Sequence, residues 1–225
     1  MNLPNADCLL VVPPLAHLSW PSIGAHHLQA CAAEAGFKVH ILYMNLLYAS
    51  LVDPAQYGTL CNAPVFWLLG ERLFARAAYG APPFGFVHTE FLGKISAHNA
   101  QNESKSLQYL DHLSDSSGAF PQGCDHRSSI ENLNELEERA FELVEGLAAA
   151  IARKNYGIVG ATTTFDQTSP AVALLKRVKA INPATVTIIG GANCEGEMAA
   201  GVASLSDKVD FVFAGESEVT FVDFL

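Results

Sequence analysis

Five short apolar runs, each followed by a turn and a helical pattern, constrain the fold of this chain more than any other feature. The first, CLLVV at residues 8–12, is unbroken, as is typical of a strand buried on both faces of a parallel sheet, and two prolines end it. Strands that alternate with helices connect through right-handed crossovers and lie parallel. The pattern therefore predicts an α/β domain with a Rossmann-like, doubly wound sheet of five parallel strands. The other four runs lie within residues 38–44, 156–164, 184–191 and 210–215.

The alternation is interrupted after the second strand. Two helical patterns come first, and a stretch rich in Gly, Pro, Ser and Asn follows from residue 81 to 129. A strongly amphipathic helix then begins, with Ser129 as its predicted N-cap. We interpret residues 1–225 as a single domain with a helical and loop insertion at about 45–154, which covers one edge or the top of the sheet. Within the insertion, we expect Glu71 and either Arg72 or Arg76 to pair with loops, as ion pairs that position the insertion.

The charge balance excludes some classes of partner. Thirteen basic residues against 23 acidic ones give a net charge of −10 at pH 7, which repels nucleic acid backbones and anionic lipid surfaces. No apolar run reaches the roughly 20 residues that a membrane span needs. The N-terminal run also lacks the basic flank and the length of a signal peptide. We therefore expect no nucleic acid partner, no membrane association and a cytoplasmic location.

The five cysteines are scattered, and no CxxC or CxxxCxxC pair occurs among them. Such spacing is typical of a reduced compartment. It also argues against a zinc or iron–sulfur site made by this chain alone. We interpret these thiols as residues of the core or its margin.

Four loops follow predicted strands and are candidate ligand-binding segments, because ligands of open parallel sheets bind beyond the carboxyl ends of the strands. In these loops the threonines at 162–164 offer hydroxyl groups. Gly190 and Gly191 lack side chains where a bulky group would pass the backbone, although a Gly-Gly pair also occurs where a strand and a helix pack closely. The loops are PPLAHLSWPS after the first strand, TTTFDQTS after the third, GGANCEGE after the fourth and GESE after the fifth.

Phosphate-binding signatures are missing from these loops. No GxGxxG follows the first strand, and GxxxxGK[ST] occurs nowhere in the sequence. Acidic residues also crowd two of the predicted helix starts, where they disfavour a bound phosphate; these are Glu195, Glu197, Glu216 and Glu218. A large polar ligand in contact with glycine backbone is therefore favoured over a pyrophosphate. Ser169 is the predicted cap of the helix after the third strand.

Three stretches, at residues 9–49, 68–80 and 187–225, resemble the amino-terminal cobalamin-binding domain of cobalamin-dependent radical S-adenosylmethionine enzymes. They are most similar to the branch that matures ribosomally made peptides, and the similarity is weakest between residues 81 and 129. The resemblance implies a flavodoxin-like fold with cobalamin on the carboxyl edge of the sheet and the nucleotide tail inserted between strands. The residues that it assigns to the corrin ring and the tail are Pro14, Leu15, His17, Leu18, Ser19, Trp20, Thr162, Thr163, Thr164, Gly190, Gly191, Ala192, Asn193, Gly215, Glu216 and Ser217.

The same resemblance implies how the domain takes part in catalysis. In the family, methyl transfer, S-adenosylmethionine and the 4Fe-4S cluster belong to a downstream barrel, whose CxxxCxxC motif this chain lacks. We therefore expect no catalytic residues here and no catalysis by the chain alone. It would be either a fragment or a stand-alone module that works with a radical S-adenosylmethionine barrel in cis or in trans, on a precursor peptide.

His17 is the candidate cobalt ligand. The DxHxxG motif of other cobalamin proteins places an Asp before the ligating histidine, and the Asp orients its ring. In this sequence Leu15 and Trp20 stand where that Asp and Gly would be. The alternative is a base-off cofactor with no protein histidine on cobalt, above an apolar lower face formed by Leu15, Leu18 and Trp20.

The residues alone are also consistent with two other functions. A nucleotide or flavin enzyme could use the same sheet, and a cofactor-free module could serve as an interaction surface. A flavin would give a yellow protein and cobalamin a red one, whereas the third alternative predicts no visible absorption after incubation with hydroxocobalamin.

Overall fold

A computed structural model describes residues 3–63, 68–83 and 126–225, and for residues 126–132 it describes the backbone only. The described part contains one five-stranded sheet with the strand order β2-β1-β3-β4-β5. Every neighbouring pair of strands is parallel. This order confirms the predicted doubly wound, flavodoxin-like α/β fold. The strands are β1 (Cys8–Val12), β2 (Val39–Tyr43), β3 (Ile158–Thr162), β4 (Val186–Gly190) and β5 (Phe211–Phe213).

Helices connect these strands, and two of them begin at other residues than predicted. The long helix of the insertion begins at His126, so Ser129 lies inside it, and the helix after β3 begins at Thr168, so Ser169 lies in its first turn. Short 3-10 turns at Phe165–Gln167 and Ala192–Cys194 precede two of the helices. The helices are α1 (Ile23–Glu34), α2 (Met44–Val52), α3 (Pro54–Cys61), α4 (Leu69–Tyr79), α5 (His126–Lys154), α6 (Thr168–Ile181), α7 (Met198–Ser204) and α8 (Glu218–Phe224).

The two faces of the sheet carry different helical layers, because successive side chains of a strand point to opposite faces. Leu10 of β1 and Ile188 of β4 belong to the cluster that α1 and α8 cover. Leu9 and Val11 belong to the larger cluster built with α2, α4, α5 and α6. The described helices of the insertion therefore pack across one face of the sheet, in the same layer as α6.

Ion pairs join α4 to α5 in this larger layer. Arg72 Nη1 lies 2.7 Å from Glu137 Oε1, and Arg76 pairs with Glu138. The predicted partners of these arginines were loops, whereas the structure places carboxylates of a neighbouring helix beside them. Arg72 also contacts a loop, because its Nη2 donates to the Pro82 carbonyl at 3.0 Å. Within the described ranges, every helix is too short or too polar to cross a bilayer.

Candidate functional site

A cavity of about 600 Å³ opens at the carboxyl ends of β1, β3, β4 and β5. It lies between the face of the sheet that carries Leu10 and Ile188 and the helices α1 and α8. The chain order reverses between β1 and β3, so the helices that follow these strands leave toward opposite faces and a crevice opens between them. The cavity therefore lies at the place where this fold class binds ligands.

Small residues on both walls leave this space open. Gly190 ends β4 in one wall, while Gly24 and Ala25 begin α1 in the other. A Cβ atom added at Gly24 would meet no atom within 4 Å. A Cβ atom at Gly190 would lie 3.2 Å from the Cβ of Phe213, which is closer than most such contacts. Ordinary side chains at these positions would thus fill part of the cavity or crowd its wall.

The cavity has an apolar buried end and a polar mouth. Leu10, Val12, Ala25, Ile188 and Phe221 line it and are each at most 4% exposed. At the mouth, Ser22, Thr164, Glu216, Ser217 and Glu218 line it instead. Among the described residues of the lining, none is a lysine or an arginine.

The loop after β1 forms one side of the mouth, and helices of the insertion hold it in place. Leu15 has a left-handed backbone (φ 71°), and its N–H donates to the Tyr57 hydroxyl at 2.8 Å. That hydroxyl donates in turn to the Ala16 carbonyl at 2.8 Å, and Asn45 Nδ2 donates to the same carbonyl at 3.3 Å. Burial raises the pKa of Tyr57 well above its ordinary value, so the phenol keeps its proton and remains a donor.

His17 and Trp20 stack on each other at the mouth, with ring centroids 4.6 Å apart. The Ser19 N–H donates to His17 Nδ1 at 3.4 Å. This hydrogen bond favours the tautomer with its proton on Nε2, whereas cobalt ligation through Nε2 needs that nitrogen unprotonated.

Other metal ligands are scarce around the mouth. Cys61 also lines the cavity, and burial raises the pKa of its thiol to about 11, so it is not a thiolate at neutral pH. In the part of the chain that the structure describes, no three His, Cys, Asp or Glu residues come together to hold a metal ion.

The three threonines at the end of β3 all line the cavity, but they differ in their hydrogen bonds to the rest of the protein. Thr163 is buried; its N–H donates to the Gly190 carbonyl at 2.7 Å, and its hydroxyl donates to the same atom at 3.0 Å. Thr163 therefore joins the loop after β3 to the end of β4. Thr162 and Thr164, which are less buried, also line the cavity.

Gln167, which sequence reasoning missed, connects two of the loops. Its side chain is 2% exposed, and Nε2 donates to the Pro13 carbonyl at 3.2 Å. Its Oε1 accepts from the Thr164 N–H at 3.1 Å. A single buried amide therefore fixes the loop after β3 against the end of β1.

The second glycine of the Gly-Gly pair is required by the backbone of the protein. Gly191 has φ 111°, and a Cβ atom there would lie 2.4 Å from the Thr163 carbonyl oxygen. Asn193 serves a similar purpose, because its Nδ2 donates to the Phe165 carbonyl at 2.7 Å and to Thr168 Oγ1 at 2.9 Å. Close approach of two loops thus accounts for Gly191, while Gly190, Gly191 and Ala192 all line the cavity.

The loop after β5 completes the mouth. Gly215 has φ 72°, and its carbonyl accepts from the Ser217 hydroxyl at 2.9 Å. His27 Nδ1 of α1 lies 3.7 Å from Glu218 Oε1 of α8, so side chains of the two helices approach each other beside the mouth.

The start of α6 is closed to a bound phosphate by Glu71 of α4. The carboxylate of Glu71 accepts from the N–H groups of Thr168 at 2.9 Å and Ser169 at 2.7 Å. Helix starts attract anions, and here the anion belongs to the protein. Beside it, burial raises the pKa of Asp166, whose carboxylate accepts from the Gly70 N–H at 3.5 Å. Nearby Glu71 adds to this rise in pKa.

Most of the predicted site residues meet at the cavity. Pro14, Leu18, Ser19 and Asn193 are outside its lining, and the others that the resemblance assigned are in it. The lining also contains residues that the sequence did not single out. Two features of the sequence could have indicated part of this set. Alternate residues of a strand point to the same face of the sheet, and small residues occur at the start of a predicted helix. The set includes Leu10, Val12, Ser22, Gly24, Ala25, Ile188, Phe213 and Phe221.

Comparison of the chain with protein-family profiles, with curated proteins and with solved structures found no match in any of the three. The case for a function therefore rests on the cavity and its loops. They combine an apolar interior, a mouth whose described lining contains no lysine or arginine, and the start of α1 beside the opening.

Proposed function

We propose that the cavity binds cobalamin, with the nucleotide tail in its buried end and the corrin ring against the loops of the mouth. The chain would then be the cofactor domain of a radical S-adenosylmethionine methyltransferase that matures ribosomally made peptides. The observation that carries the proposal is an open cavity at the carboxyl ends of the strands, apolar inside and polar at its mouth. The resemblance of residues 9–49, 68–80 and 187–225 to such domains supports it.

The size and lining of the cavity fit a tail better than a whole large cofactor. Its volume of about 600 Å³ lies in the range of small-molecule sites, roughly 300–1,000 Å³. The corrin ring would remain outside, where Trp20 and Phe165 are 71% and 70% exposed beside the opening. Exposed aromatic rings of this kind can pack on a large flat ligand.

The electrostatics suit at most a single phosphodiester, because Glu216 and Glu218 at the mouth repel a chain of phosphates more strongly. Ser22 caps α1 at the mouth, and the first turn of α1 contains no acidic residue. N–H groups at a helix start favour one negative charge, and here Ser22 Oγ already accepts from that of Ala25. Glu71 occupies the start of α6, and the described lining contains no lysine or arginine, so a diphosphate or triphosphate would lack these counter-charges.

The lower face of the bound corrin would be apolar. The hydrogen bond from the Ser19 N–H, at 3.4 Å, favours the His17 tautomer that is unsuited to cobalt ligation through Nε2, and His17 stacks on Trp20. Leu15 lies beside them in the lining. We therefore propose a base-off cofactor with no histidine on cobalt.

Cobalamin, when bound, supplies a cobalt centre that carries a methyl group. The residues of this chain would bind and orient the cofactor and keep water from its lower face. S-adenosylmethionine, the 4Fe-4S cluster and the precursor peptide would belong to a barrel joined in cis or in trans.

The proposal is tested by titrating the purified chain with hydroxocobalamin and, separately, with flavin mononucleotide. We expect saturable binding of hydroxocobalamin, a red protein after gel filtration, and the absorption of a base-off corrinoid after reduction. A yellow protein that retains flavin and no corrinoid would replace the proposal with a flavin function. Retention of neither compound would favour a cofactor-free interaction module.

A further inference from the structure

The lining of the buried end of the cavity limits which chemical groups can bind there. Leu10, Val12, Ala25, Ile188 and Phe221 form this end, and each presents only an apolar side chain. The two buried polar residues of the lining, Thr163 and Gln167, already make hydrogen bonds within the protein. We infer that it accepts a tail base with few polar edge atoms, such as a benzimidazole or a phenol, and discriminates against purines. This inference rests on the proposed function, because it specifies which cobamides the site would take.

The backbone around this end offers few groups to a polar base. The central strands β1, β3 and β4 pair in register, with Leu10 beside Gly160 and Gly160 beside Ile188. Their N–H and carbonyl groups are therefore used within the sheet. Of the hydroxyl groups of the lining, that of Thr163 donates to the Gly190 carbonyl. The others, at Ser22, Thr162, Thr164 and Ser217, lie at or beside the ends of elements that open toward the mouth.

A purine base would lose hydrogen bonds in such surroundings. Adenine carries an amino group and several ring nitrogens on its edge, and water binds them in solution. Moving them against apolar walls without replacement partners costs free energy. Dimethylbenzimidazole presents methyl groups and a single free ring nitrogen, and a phenolic tail presents still less.

The aromatic residues of the cavity add to this preference. Phe213 and Phe221 lie edge to face, with centroids 6.2 Å apart and planes at 75°. A flat apolar base can extend this arrangement, since aromatic pairs favour such geometries and gain from burial of both rings. The cavity is thus suited to an apolar aromatic tail.

The experiment compares four corrinoids on the purified chain. They are cobalamin, a phenolyl cobamide, an adeninyl cobamide and tail-free cobinamide, with affinities taken from spectral titration. We expect cobalamin and the phenolyl cobamide to bind about tenfold more tightly than the adeninyl form, and cobinamide to bind more weakly than cobalamin.

Each outcome distinguishes the inference from the function on which it rests. Equal affinity for cobalamin and adeninyl cobamide would overturn the inference while the cobalamin function stands. Cobinamide binding as tightly as cobalamin would do the same, because the tail would then contribute nothing. If no corrinoid binds, both the function and the inference fail.

A pair of isosteric variants tests the residues themselves. Val12→Thr places a hydroxyl in the buried end, and the ratio of cobalamin to adeninyl cobamide affinity should fall by about threefold. Val39→Thr makes the same change at a buried position of the same apolar cluster, outside the cavity lining. The control should keep the wild-type ratio, and circular dichroism checks that both variants fold. An unchanged ratio in Val12→Thr would show that this wall does not select the base.

Discussion

The two faces of the sheet differ in how completely helices cover them. On one face, α2, α4, α5 and α6 pack with the strands into a continuous core, and ion pairs such as Arg72 with Glu137 tie the helices together. On the other face, α1 and α8 cover a smaller cluster and leave the cavity open. The difference indicates that stability is concentrated on the first face, whereas the second contains an open cavity.

The largest expected effect contrasts one aromatic residue from each face. Phe74 of α4 is fully buried and contacts Tyr48 edge to face, so Phe74→Ala should lower the free energy of unfolding by about 3–5 kcal/mol. Phe221→Ala should cost less, because part of its ring faces the cavity and has fewer packing partners to lose. Urea denaturation measures both. A loss at Phe221 equal to that at Phe74 would contradict the contrast between the faces.

A smaller effect separates the two kinds of glycine around the cavity. Gly191→Ala should destabilise the protein by about 2 kcal/mol or more, because its Cβ would overlap the Thr163 carbonyl and its φ is positive. Gly24→Ala should be neutral or stabilising by about 0.5–1 kcal/mol, since Gly24 lies in a helix beside open space. Thermal unfolding decides this comparison. Equal melting temperatures for the two variants would mean that the loops after β3 and β4 can separate to admit a side chain at Gly191.

A third prediction concerns binding on the open face. Gly24→Leu should place its side chain in the mouth of the cavity and weaken hydroxocobalamin binding by about tenfold or more, at unchanged helix content. Gly146→Leu is the matched control, because Gly146 lies in α5 on the other face with no atom within 4 Å of an added Cβ. Spectral titration should show wild-type affinity for the control. Wild-type affinity in Gly24→Leu would place the corrinoid elsewhere.

The smallest effect is a pH dependence next to the mouth. Burial, with a further contribution from Glu71, raises the pKa of Asp166. A raised carboxyl pKa contributes stability below the unfolded value of about 4, and this stability is lost as the pH rises through the folded pKa. Asp166→Asn should therefore gain stability relative to the wild type between about pH 4 and neutrality. The gain should stay below about 1 kcal/mol, because solvent screens a half-buried carboxyl group.

Asp207→Asn is the control for this prediction. The hydrogen bond and charge of Lys208 lower the pKa of Asp207, so this variant should not reproduce the gain. Thermal melts across that pH range compare the two variants with the wild type. A pH-independent difference between Asp166→Asn and the wild type would show that Asp166 does not titrate in the expected direction.

Much of the fold could be predicted because its signals are local. The apolar runs, the prolines after β1 and the glycines at turns each act on a few neighbouring residues. The first residues of two helices, predicted at Ser129 and Ser169, were harder to predict. A serine is a good cap by itself, but the α6 start is capped by Glu71, which is distant in sequence.

The loops that surround the candidate site could be predicted from the sequence, but the contacts of their individual side chains could not. The rule that ligands bind at the carboxyl ends of parallel strands placed the loops correctly around the cavity. It could not tell that, among the threonines that line the cavity, the hydroxyl of Thr163 is bonded to the Gly190 carbonyl. Nor could it identify Tyr57 and Gln167, because a polar side chain in a predicted helix or loop gives no sign of the distant carbonyl that it will bind.

The sequence by itself determined the parallel sheet and the loops at its edge, because strand burial and turn chemistry act between near neighbours. Only the tertiary structure decided that Gly191 accommodates the Thr163 backbone, that Glu71 closes the start of α6, and that an apolar cavity remains beneath α1 and α8. Each of these depends on distances between segments far apart in the chain. Such distances exist only once the helices have packed on the sheet.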